Sequence, residues 1–554
     1  LGKGTEEEPY QIKDISDLAY LSTNGKFWDK YFIQVADINA SSAASEGFNP
    51  IGGLGGGGGS IFFTGSYNGN GFSIDSLHLS STEESLGLFE YVDGAIIRKV
   101  KLNNVNINCQ SSGSAGGIVA LAQYGAIIDS CSVTGTITNQ GTQTGGIVGF
   151  TSAITITNCS FNGTIVGKNN TAGIAGYLSQ GNVENCSSNG TITGQDKVGG
   201  IAGYADYSDS VVQCYNTANI TASSHVGGIV GYCDPSYANQ FVIRNSYNTG
   251  DIYADTCAGG IIGKQSSNER TIAVTNCYST GRVSEPGAPK GLVGEAFGIN
   301  LNNSYFLHYD DTADTIGERN IEKMIVQNNY TDWDFLNVWN INEGTTFPFL
   351  RWQGTPDEHN ANFIMDVDNN YYITVKIGDQ TWMAENLKVT KTNNSEINIL
   401  PSDSDTWDDT ESRYYYIAGG SPEDQGLLYN GTAALLNNIC PTGWKVPGTS
   451  DFNVLKNYIK DILGYESIEG KALKSRYSWI MYKGDNATGF SAVPVGYIDE
   501  NGDWTEIENS ACFWTKETQE ENLYYWKLFD DENHEILDGY VPKTYGYSIR
   551  CIKE

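Results

Sequence analysis

Two aspartates occupy equivalent positions in neighbouring sequence units, and paired carboxylates could carry out acid–base chemistry. Asp206 and Asp234 each follow a Gly-Tyr phrase, and Tyr207 and Tyr237 stand close behind them. Glycoside hydrolysis needs two convergent carboxylates, and lyase chemistry needs a base beside a cation. No third carboxylate, arginine or lysine joins this column, so we interpret the pair as stacked turn residues and keep the four side chains as candidates for ligand binding.

Other catalytic patterns are weak in this sequence. The five histidines are too scattered to form a triad or a metal cluster, and no Gly-x-Ser-x-Gly elbow occurs. They are His78, His225, His308, His359 and His534. We therefore predict that the protein is not an enzyme.

Asp366, Asp368 and Asn370 match the opening of a calcium-binding loop. The glycine at the sixth position and the glutamate at the twelfth are missing, which excludes an EF-hand. We favour a hairpin turn built with Asp and Asn. Structural calcium at these residues is the only cofactor that the sequence leaves open.

Five cysteines fall at one position of successive units, with Ser246 in the place of a missing member. They are Cys131, Cys159, Cys186, Cys214 and Cys277. Without a Cys-x-x-Cys motif, this spacing does not indicate a metal site. Stacked thiols could pair as disulfides, but buried free cysteine is common in protein cores. We interpret the column as core residues.

A phrase that recurs between about residues 116 and 294 positions these side chains. It reads Gly-Gly-Ile-Val at 116–119, Gly-Gly-Ile-Val-Gly-Phe at 145–150 and Gly-Gly-Ile-Ala-Gly-Tyr at 199–204, and successive copies are 27 to 32 residues apart. A period in this range indicates a repeat architecture.

Each unit contains three short β-branched runs separated by Asn, Gly, Ser and Thr, a pattern that predicts strands joined by turns. One unit cannot bury its own apolar residues, whereas stacked units can. We predict a three-sided parallel β-helix (solenoid) with equivalent positions about 4.8 Å apart in adjacent coils. The isoleucine and cysteine columns then point inward, and Asn158, Asn185, Asn245 and Asn276 stack at a bend.

Composition limits the classes of partner. The chain has 554 residues, a net charge of −32 and no basic cluster, so nucleic-acid binding is excluded. No apolar run of 18 residues is present, so we expect no integral membrane segment. No signal peptide or lipid-attachment cysteine is visible at Leu1.

The repeat phrases carry a resemblance to a known family. The phrase Gly-Gly-Ile-Val-Gly-Tyr at 227–232, the Asn-Cys-Tyr at 276–278 and the lead-in at 4–10 resemble the GLUG-motif repeats of bacterial surface proteins. The exit at 333–352 is similar to the segment that closes such arrays. Over residues 4–352, the resemblance implies a β-helical stalk of secreted or surface-anchored adhesins, with no catalytic residues.

The repeat ends before a polar linker at 356–362. The later segments Ile-Cys-Pro-Thr-Gly-Trp-Lys-Val-Pro at 439–447, Gly-Phe-Ser-Ala-Val-Pro at 489–494 and Tyr-Ser-Ile-Arg-Cys at 547–551 resemble the Fibrobacter succinogenes major paralogous domain. That resemblance implies an α+β fold related to C-type lectins, in exported proteins. It also implies a disulfide between Cys440 and Cys551, which would stabilise the domain by about 4 kcal/mol.

Trp407 is the candidate aromatic for sugar stacking in this domain. It lies in the acidic loop 403–411, where we expect an exposed side chain. Trp382 and Trp444 lie inside motifs that indicate core positions.

The sequence as a whole predicts a mainly β, exported bacterial adhesion protein, anchored at the outer membrane as a lipoprotein and monomeric. We expect a cap and first coils at 1–75, a GLUG-repeat β-helix at 76–355 and a lectin-like α+β domain at 356–554. The β-helix would be a stalk, and the C-terminal domain would bind a glycan or a surface protein. A carbohydrate-processing β-helix enzyme and a purely structural spacer are the alternatives.

Overall fold

The computed structural model divides the chain into two compact units, Leu1–Asn360 and Ala361–Glu554. The residues that the structure describes are 2–43, 48–55, 59–82, 85–207, 210–234, 241–266, 271–285, 290–295, 297–307, 317–356, 358–393, 399–401, 407, 413–416, 425–475 and 478–554. The chain is mainly β, with a parallel solenoid in the first unit and antiparallel sheets in the second.

Eleven described strands form the first face of the solenoid, here called sheet 1. They are Tyr10–Ile12, Tyr31–Gln34, Ser66–Asn68, Ile96–Arg98, Ile127–Asp129, Thr155–Thr157, Asn182–Glu184, Ser210–Val212, Phe241–Arg244, Ile272–Thr275 and Ile299–Asn302. Each pairs in parallel with the equivalent strand of the next coil. Ile97, Ile128, Ile156 and Val183 are in direct register and fully buried, so the central residues form an inward ladder.

Sheet 2 forms the second face, mostly with two strands per coil. Its described strands are Ile38–Asn39, Ser73–Asp75, His78–Ser81, Lys101–Cys109, Ser114–Gly116, Ser132–Asn139, Gln143–Gly145, Ser160–Val166, Asn169–Ala172, Ser187–Thr193, Asp196–Gly199, Tyr215–Asn216, Asn219–Gly227, Tyr247–Asn248, Ile252–Gly259, Tyr278–Ser279, Val283–Ser284, Tyr305–Leu307 and Glu318–Arg319. Their side chains alternate between the core and the outer surface.

Sheet 3 forms the third face. Its described strands are Phe89–Asp93, Val119–Gln123, Val148–Ser152, Ala175–Ser179, Ala202–Asp206, Val230–Asp234, Ile262–Gln265 and Val293–Glu295. All pair in parallel. The predicted three-sided parallel β-helix is therefore confirmed.

The glycine phrase forms the tight corner that leads into sheet 3. The isoleucines of the phrase are fully buried in a column that includes Ile147, Ile174, Ile201 and Ile229. A Cβ atom on Gly200 would lie 2.2 Å from the carbonyl oxygen of Gly228. Adjacent coils approach too closely at this corner for any other residue, which explains the recurring glycine.

The predicted cysteine column lies in the core. Cys131, Cys159, Cys186 and Cys214 are buried free thiols. The Sγ of Cys159 lies 3.1 Å from the carbonyl oxygen of Thr157 and accepts a hydrogen bond from the amide of Cys131. Burial raises the pKa of the thiols at Cys131, Cys159 and Cys186, which keeps them protonated.

The asparagines predicted at a bend lie just before this column, and the structure shows that the bend is left-handed. Asn158, Asn185, Asn245 and Asn276 have φ between 52° and 54°, a conformation that asparagine adopts more readily than most residues. The Nδ2 of Asn185 donates to the Oδ1 of Asn158 at 3.3 Å, so the amides also bond between coils.

A helix lies near the start of the solenoid, at Ile15–Thr23. Asp14 is its N-cap, and its carboxylate accepts a hydrogen bond from the amide of Asp17 at 3.0 Å. The other helices among the described residues are Ile321–Met324, Gly431–Ala434, Thr449–Asp461 and Glu469–Leu473, with 3-10 turns at Gly25–Phe27, Gln327–Asn329, Arg351–Gln353 and Glu358–Ala361. Short antiparallel pairs join Gly53–Gly55 to Gly59–Ile61 and Trp339–Asn340 to Phe349–Leu350.

Residues 320–353, here called the closing segment, lie along one side of the last coils. A stacked ladder of Tyr215, Tyr247 and Tyr278, with ring centroids 5.1 and 4.9 Å apart, faces this segment. Trp339 packs at 6.2 Å from Tyr247 and 6.0 Å from Tyr278. The hydroxyl of Tyr278 donates to the carbonyl oxygen of Pro348 at 2.6 Å. The segment thus ties several coils together.

Within its described residues, the second unit contains three sheets and three of the helices listed above. The strand order of the first sheet is Phe363–Met365, Tyr371–Ile377, Gln380–Met383, Ile552–Lys553 and Trp444–Lys445. That of the second sheet is Leu400–Pro401, Tyr414–Tyr416, Leu428–Asn430, Gly546–Tyr547, Tyr497–Ile498 and Trp504–Thr505. The third sheet consists of Ser510–Gln519, Asn522–Phe529 and Ile536–Pro542, in that order. A disulfide joins Cys440 to Cys551 across 111 residues. It connects the segment before the Thr449–Asp461 helix to the C-terminal strand.

A candidate binding surface on the third sheet

Aromatic side chains form an outward column on sheet 3. Phe150, Tyr177, Tyr204 and Tyr232 are in direct register and half-buried. Their ring centroids are 5.2, 4.7 and 5.6 Å apart in succession. Because the rings cover each other's faces, the column presents ring edges and hydroxyl groups to a ligand rather than an open stacking platform.

The two sequence-predicted aspartates lie beside this column, and the structure brings them together. Asp206 and Asp234 are in direct register on adjacent coils. Each accepts a hydrogen bond from the tyrosine of the preceding coil: Tyr177 donates to Asp206 at 2.8 Å and Tyr204 to Asp234 at 3.3 Å. We call Tyr177, Tyr204, Tyr232, Asp206 and Asp234 the tyrosine–aspartate face.

The electrostatics of this face follow from its burial. Burial raises the pKa of Asp206, and the neighbouring Asp234 adds to this, although bonds from Ser179 and Tyr177 oppose the shift. Burial and the nearby carboxylates also raise the pKa values of Tyr177 and Tyr204, which remain hydrogen-bond donors. Asp206 is only 9% exposed, so the more exposed Asp234 is the carboxylate that a ligand can reach.

A lysine that sequence reasoning missed completes the surface. The Nζ of Lys197 lies 4.8 Å from the ring centre of Tyr204 and 4.7 Å from that of Tyr232. Lys197 and His225 stand at equivalent positions of successive coils, both with positive φ. Both residues lie three positions before the second glycine of their phrase, Gly200 and Gly228. Aligning the sequence units on that glycine would have revealed this column.

His225 packs against the same face. Its ring is 5.3 Å from that of Tyr232, and its Nδ1 lies 2.5 Å from the Oδ1 of Asp196. Burial opposes ionisation of Asp196, but bonds from Ser224 and His225 hold its pKa below the ordinary value. Asp196 is thus a stable negative charge at the edge of the face.

The aromatic column ends in an ion pair in the next two coils. Lys264 follows Tyr232 in register, and its Nζ lies 2.8 Å from the Oε2 of Glu295. The thiol of Cys257 also contacts Glu295, at 3.2 Å. Burial and Glu295 raise the pKa of Cys257 to about 11, so this thiol is protonated at neutral pH and is a poor nucleophile.

The remaining binding candidates of the solenoid lie apart from this geometry. Tyr207 follows the strand Ala202–Asp206 and has a φ of 59°, so it belongs to the turn after the face. Tyr237 lies outside the residues that the structure describes.

The prediction that Trp407 is an exposed aromatic is wrong. Trp407 is fully buried in a cluster with Leu428, Val495 and Ile498, and its indole Nε1 donates to the carbonyl oxygen of Thr544. Acidic neighbours in the sequence suggested a solvent-exposed loop, but the large apolar ring gains more from burial once its N–H has a partner. It is a core residue and cannot stack on a sugar.

Asp366, Asp368 and Asn370 form a hydrogen-bonded turn. Asp366 accepts from the amides of Asp368 and Asn370 at 2.8 and 3.0 Å and from the hydroxyl of Tyr372 at 2.5 Å. Asp368 is paired with Lys391 at 2.8 Å. Their carboxylates are therefore engaged by protein donors. Across the described part of the chain, no three His, Cys, Asp or Glu side chains are grouped to hold a metal ion.

Family models match both parts of the chain. The GLUG motif matches residues 111–138, 140–166 and 167–193, and the Fibrobacter succinogenes major domain matches residues 375–553. The chain carries GLUG repeats followed by a Fibrobacter succinogenes major domain. Both predicted resemblances are confirmed, in the predicted order.

A curated relative shares part of the sequence. Over 158 residues the chain is 30% identical to halomucin of Haloquadratum walsbyi, a match that covers 27% of this chain and 2% of halomucin. The chain thus spans a small fraction of that relative's length. Together with the GLUG and Fibrobacter domains, the similarity fits a surface protein and suggests an extracellular location.

Two solved structures are also similar to this chain. A Bacteroides ovatus protein provisionally described as an immunoglobulin A1 protease shares 18% identity with a TM-score of 0.39, covering 63% of this chain and 94% of the other. An IgA1 protease shares 20% identity with a TM-score of 0.37, covering 51% and 22%. Such scores support no functional argument. Within the described residues, no helix combines the length and apolarity needed to cross a membrane.

Proposed function

We propose that this protein is a non-enzymatic, exported bacterial surface protein that binds a glycan or a surface protein noncovalently through the tyrosine–aspartate face of its solenoid. The observation that carries the proposal is the run of tyrosine hydroxyls, carboxylates and Lys197 along three adjacent coils. These groups form a half-buried, hydrogen-bonding surface on a rigid scaffold, which limits the entropy cost of binding.

Two features support binding rather than catalysis. Asp206 is almost fully buried and bonded to Tyr177, so substrate cannot reach the carboxyl whose pKa is raised. Asp234 already accepts hydrogen bonds from Tyr204 and Ser266. General acid–base catalysis needs a carboxyl within hydrogen-bond reach of the reacting atom.

The domain content supports the proposed location. GLUG repeats, a Fibrobacter succinogenes major domain and the halomucin similarity favour an extracellular protein. We infer attachment at the outer membrane, with the Fibrobacter domain as a second binding module.

The test measures binding of the intact protein to a glycan array and to immobilised cell-surface proteins. Tyr204→Phe removes the hydroxyl that donates a hydrogen bond to Asp234 and keeps the ring stack, whereas Asp234→Asn removes the negative charge of the carboxylate. We expect each variant to bind about fivefold more weakly, since one hydrogen bond contributes about 1 kcal/mol. Thr155→Val, on sheet 1, is the control and should bind like the wild type.

Unchanged affinity in both variants would remove this face from the proposal. Repeating the assay with calcium and with chelator tests whether calcium binds at Asp366 and Asp368. Loss of binding with chelator would contradict our conclusion that only protein groups bond to these two carboxylates. Release of product from any bound glycan would contradict the non-enzymatic assignment.

A further inference from the structure

The outer surface of sheet 2 carries two columns of threonine in register. In one column Thr136, Thr164 and Thr191 lie on successive coils. In the other column Thr138, Thr193 and Thr221 lie in register, with Val166 on the coil between Thr138 and Thr193. We call these seven residues the threonine face.

The hydroxyls of this face have no partner among the described residues, unlike several hydroxyls elsewhere on the solenoid. Thr157 donates to Asp129 at 2.7 Å, Ser210 to Asn182 at 2.6 Å and Ser224 to Asp196 at 2.7 Å. These bonds bridge coils and satisfy their side chains internally. The six threonine hydroxyls of the face are instead left for solvent or a ligand, and Thr136, Thr164, Thr191 and Thr221 are exposed.

The face is also free of charge. Its columns begin beside Asn106 and Asn108 and reach Asn219 without an ionisable side chain, although the chain has a net charge of −32. An anionic ligand is repelled by the protein as a whole, and a cationic ligand finds no counter-charge here. An uncharged ligand with hydrogen-bonding groups fits best.

The geometry favours a ligand that is itself regular. Hydroxyls repeat about 4.8 Å apart between coils and about 6.6 Å apart along a strand, and β-branched side chains are stiff at χ1. One neutral hydrogen bond contributes only about 1 kcal/mol. None of the seven residues of the threonine face is aromatic, so no ring of this face can stack on a sugar. A short soluble sugar therefore gains little, whereas an ordered array of chains engages many hydroxyls at once.

We propose that the threonine face adsorbs uncharged polysaccharide in its solid, ordered form. This inference rests on the proposed binding function and adds to it a second surface and a ligand class. The contact is noncovalent, and the ligand hydroxyls or amides exchange hydrogen bonds with the threonine hydroxyls across several coils.

The experiment measures adsorption of the intact protein to microcrystalline cellulose and to chitin. Thr164→Val/Thr191→Val removes two hydroxyls while keeping the branched shape, and Thr155→Val/Thr275→Val makes the same change on sheet 1. We expect the first variant, which loses two hydrogen bonds of about 1 kcal/mol each, to adsorb about 25-fold more weakly to at least one solid, and the second to adsorb like the wild type. Melting temperatures confirm that both variants are folded.

Three results would overturn the inference: no adsorption of the wild type to either solid, equal adsorption by the two double variants, or displacement by soluble cello- or chito-oligosaccharides at low concentration. Altered sedimentation of Thr164→Val/Thr191→Val would assign the face to self-association and overturn it as well. If Thr164→Val/Thr191→Val adsorbs to the solids like the wild type while Tyr204→Phe weakens array binding, the proposed function stands and the threonine inference fails.

Discussion

The indole Nε1 of Trp352 donates a 3.0 Å hydrogen bond to the main-chain carbonyl of Gln213, 139 residues earlier in the chain. Gln213 has a φ of 52° and occupies the left-handed bend of its coil. Two further indoles of the closing segment reach equivalent bends: Trp339 donates to Asn245 at 3.4 Å and Trp333 to Asn303 at 2.8 Å. The segment therefore runs antiparallel to the order of the coils and contacts one bend after another.

Replacing Trp352 by alanine should destabilise the solenoid by about 2 kcal/mol, through loss of one hydrogen bond and of an aromatic contact. That contact is with Tyr215, at 5.5 Å. Urea unfolding followed by tryptophan fluorescence measures the change. Trp352→Phe keeps a ring but removes the donor, so a variant as stable as the wild type would show that the bond to Gln213 contributes nothing.

Ile201→Asp should unfold the neighbouring coils, because it places a charge in the fully buried isoleucine column. We expect a loss of several kcal/mol, measured by thermal melting and by protease resistance of the solenoid. Thr164→Asp puts the same charge on the exposed side of sheet 2 and should melt like the wild type. An Ile201→Asp variant with unaltered melting would contradict the inward register.

The carboxyl of Asp206 should reduce stability at neutral pH. Burial raises the pKa of the Asp206 carboxyl in the folded state, so the folded protein binds a proton more readily than the unfolded chain. Stability therefore falls as the pH rises from the pKa of this carboxyl in the unfolded chain to its pKa in the folded protein. Asp206→Asn stays neutral and can still accept from Tyr177. We expect the variant to melt higher than the wild type at pH 7, with the difference shrinking as the pH falls towards 4. A constant difference would rule out titration of Asp206 as the cause.

Lys474 should make the second unit more stable as the pH rises from 8 to 9.5. Its side chain is buried, with Nζ 3.2 Å from the Nδ1 of His534. Burial lowers its pKa to about 8, although Asp531 and Asp530 oppose the shift, so the unfolded chain holds more protons in this range and stability rises with pH. Lys474→Met should lack that rise. Comparing the two proteins at each pH removes the common contribution of the tyrosines, and parallel curves would contradict the assignment.

The solenoid could be predicted because its information is repeated. Each coil restates the same glycine corner, inward isoleucine and asparagine bend, so errors in one unit are corrected by its neighbours. Ile201 and Cys186 are buried where their columns predict. The predicted pairing of Asp206 with Asp234 depends on the same register.

Residues whose role depends on non-repeated contacts could not be predicted. Aligning the coils marks the position of Lys197, which is equivalent to that of His225. The residue types in this column differ, so the contact of Lys197 with the rings of Tyr204 and Tyr232 could not be predicted. Trp407 has a partner in Thr544, 137 residues away, which no local pattern reveals. Acidic neighbours therefore gave a wrong expectation of exposure.

The closing segment has a consequence for how the gene can change. Coils matched by the GLUG motif at 111–193 carry Ser132, Ser160 and Ser187 where the later coils carry Tyr215, Tyr247 and Tyr278. Unequal recombination between the serine coils would add or delete whole turns without breaking the hydrogen bonds of residues 320–353 to Gln213, Asn245, Tyr278 and Asn303. Recombination among the tyrosine coils would shift Trp333, Trp339 and Trp352 away from their bends. Natural variants of this lineage should therefore differ in copy number within the first set of coils and keep a constant number in the second.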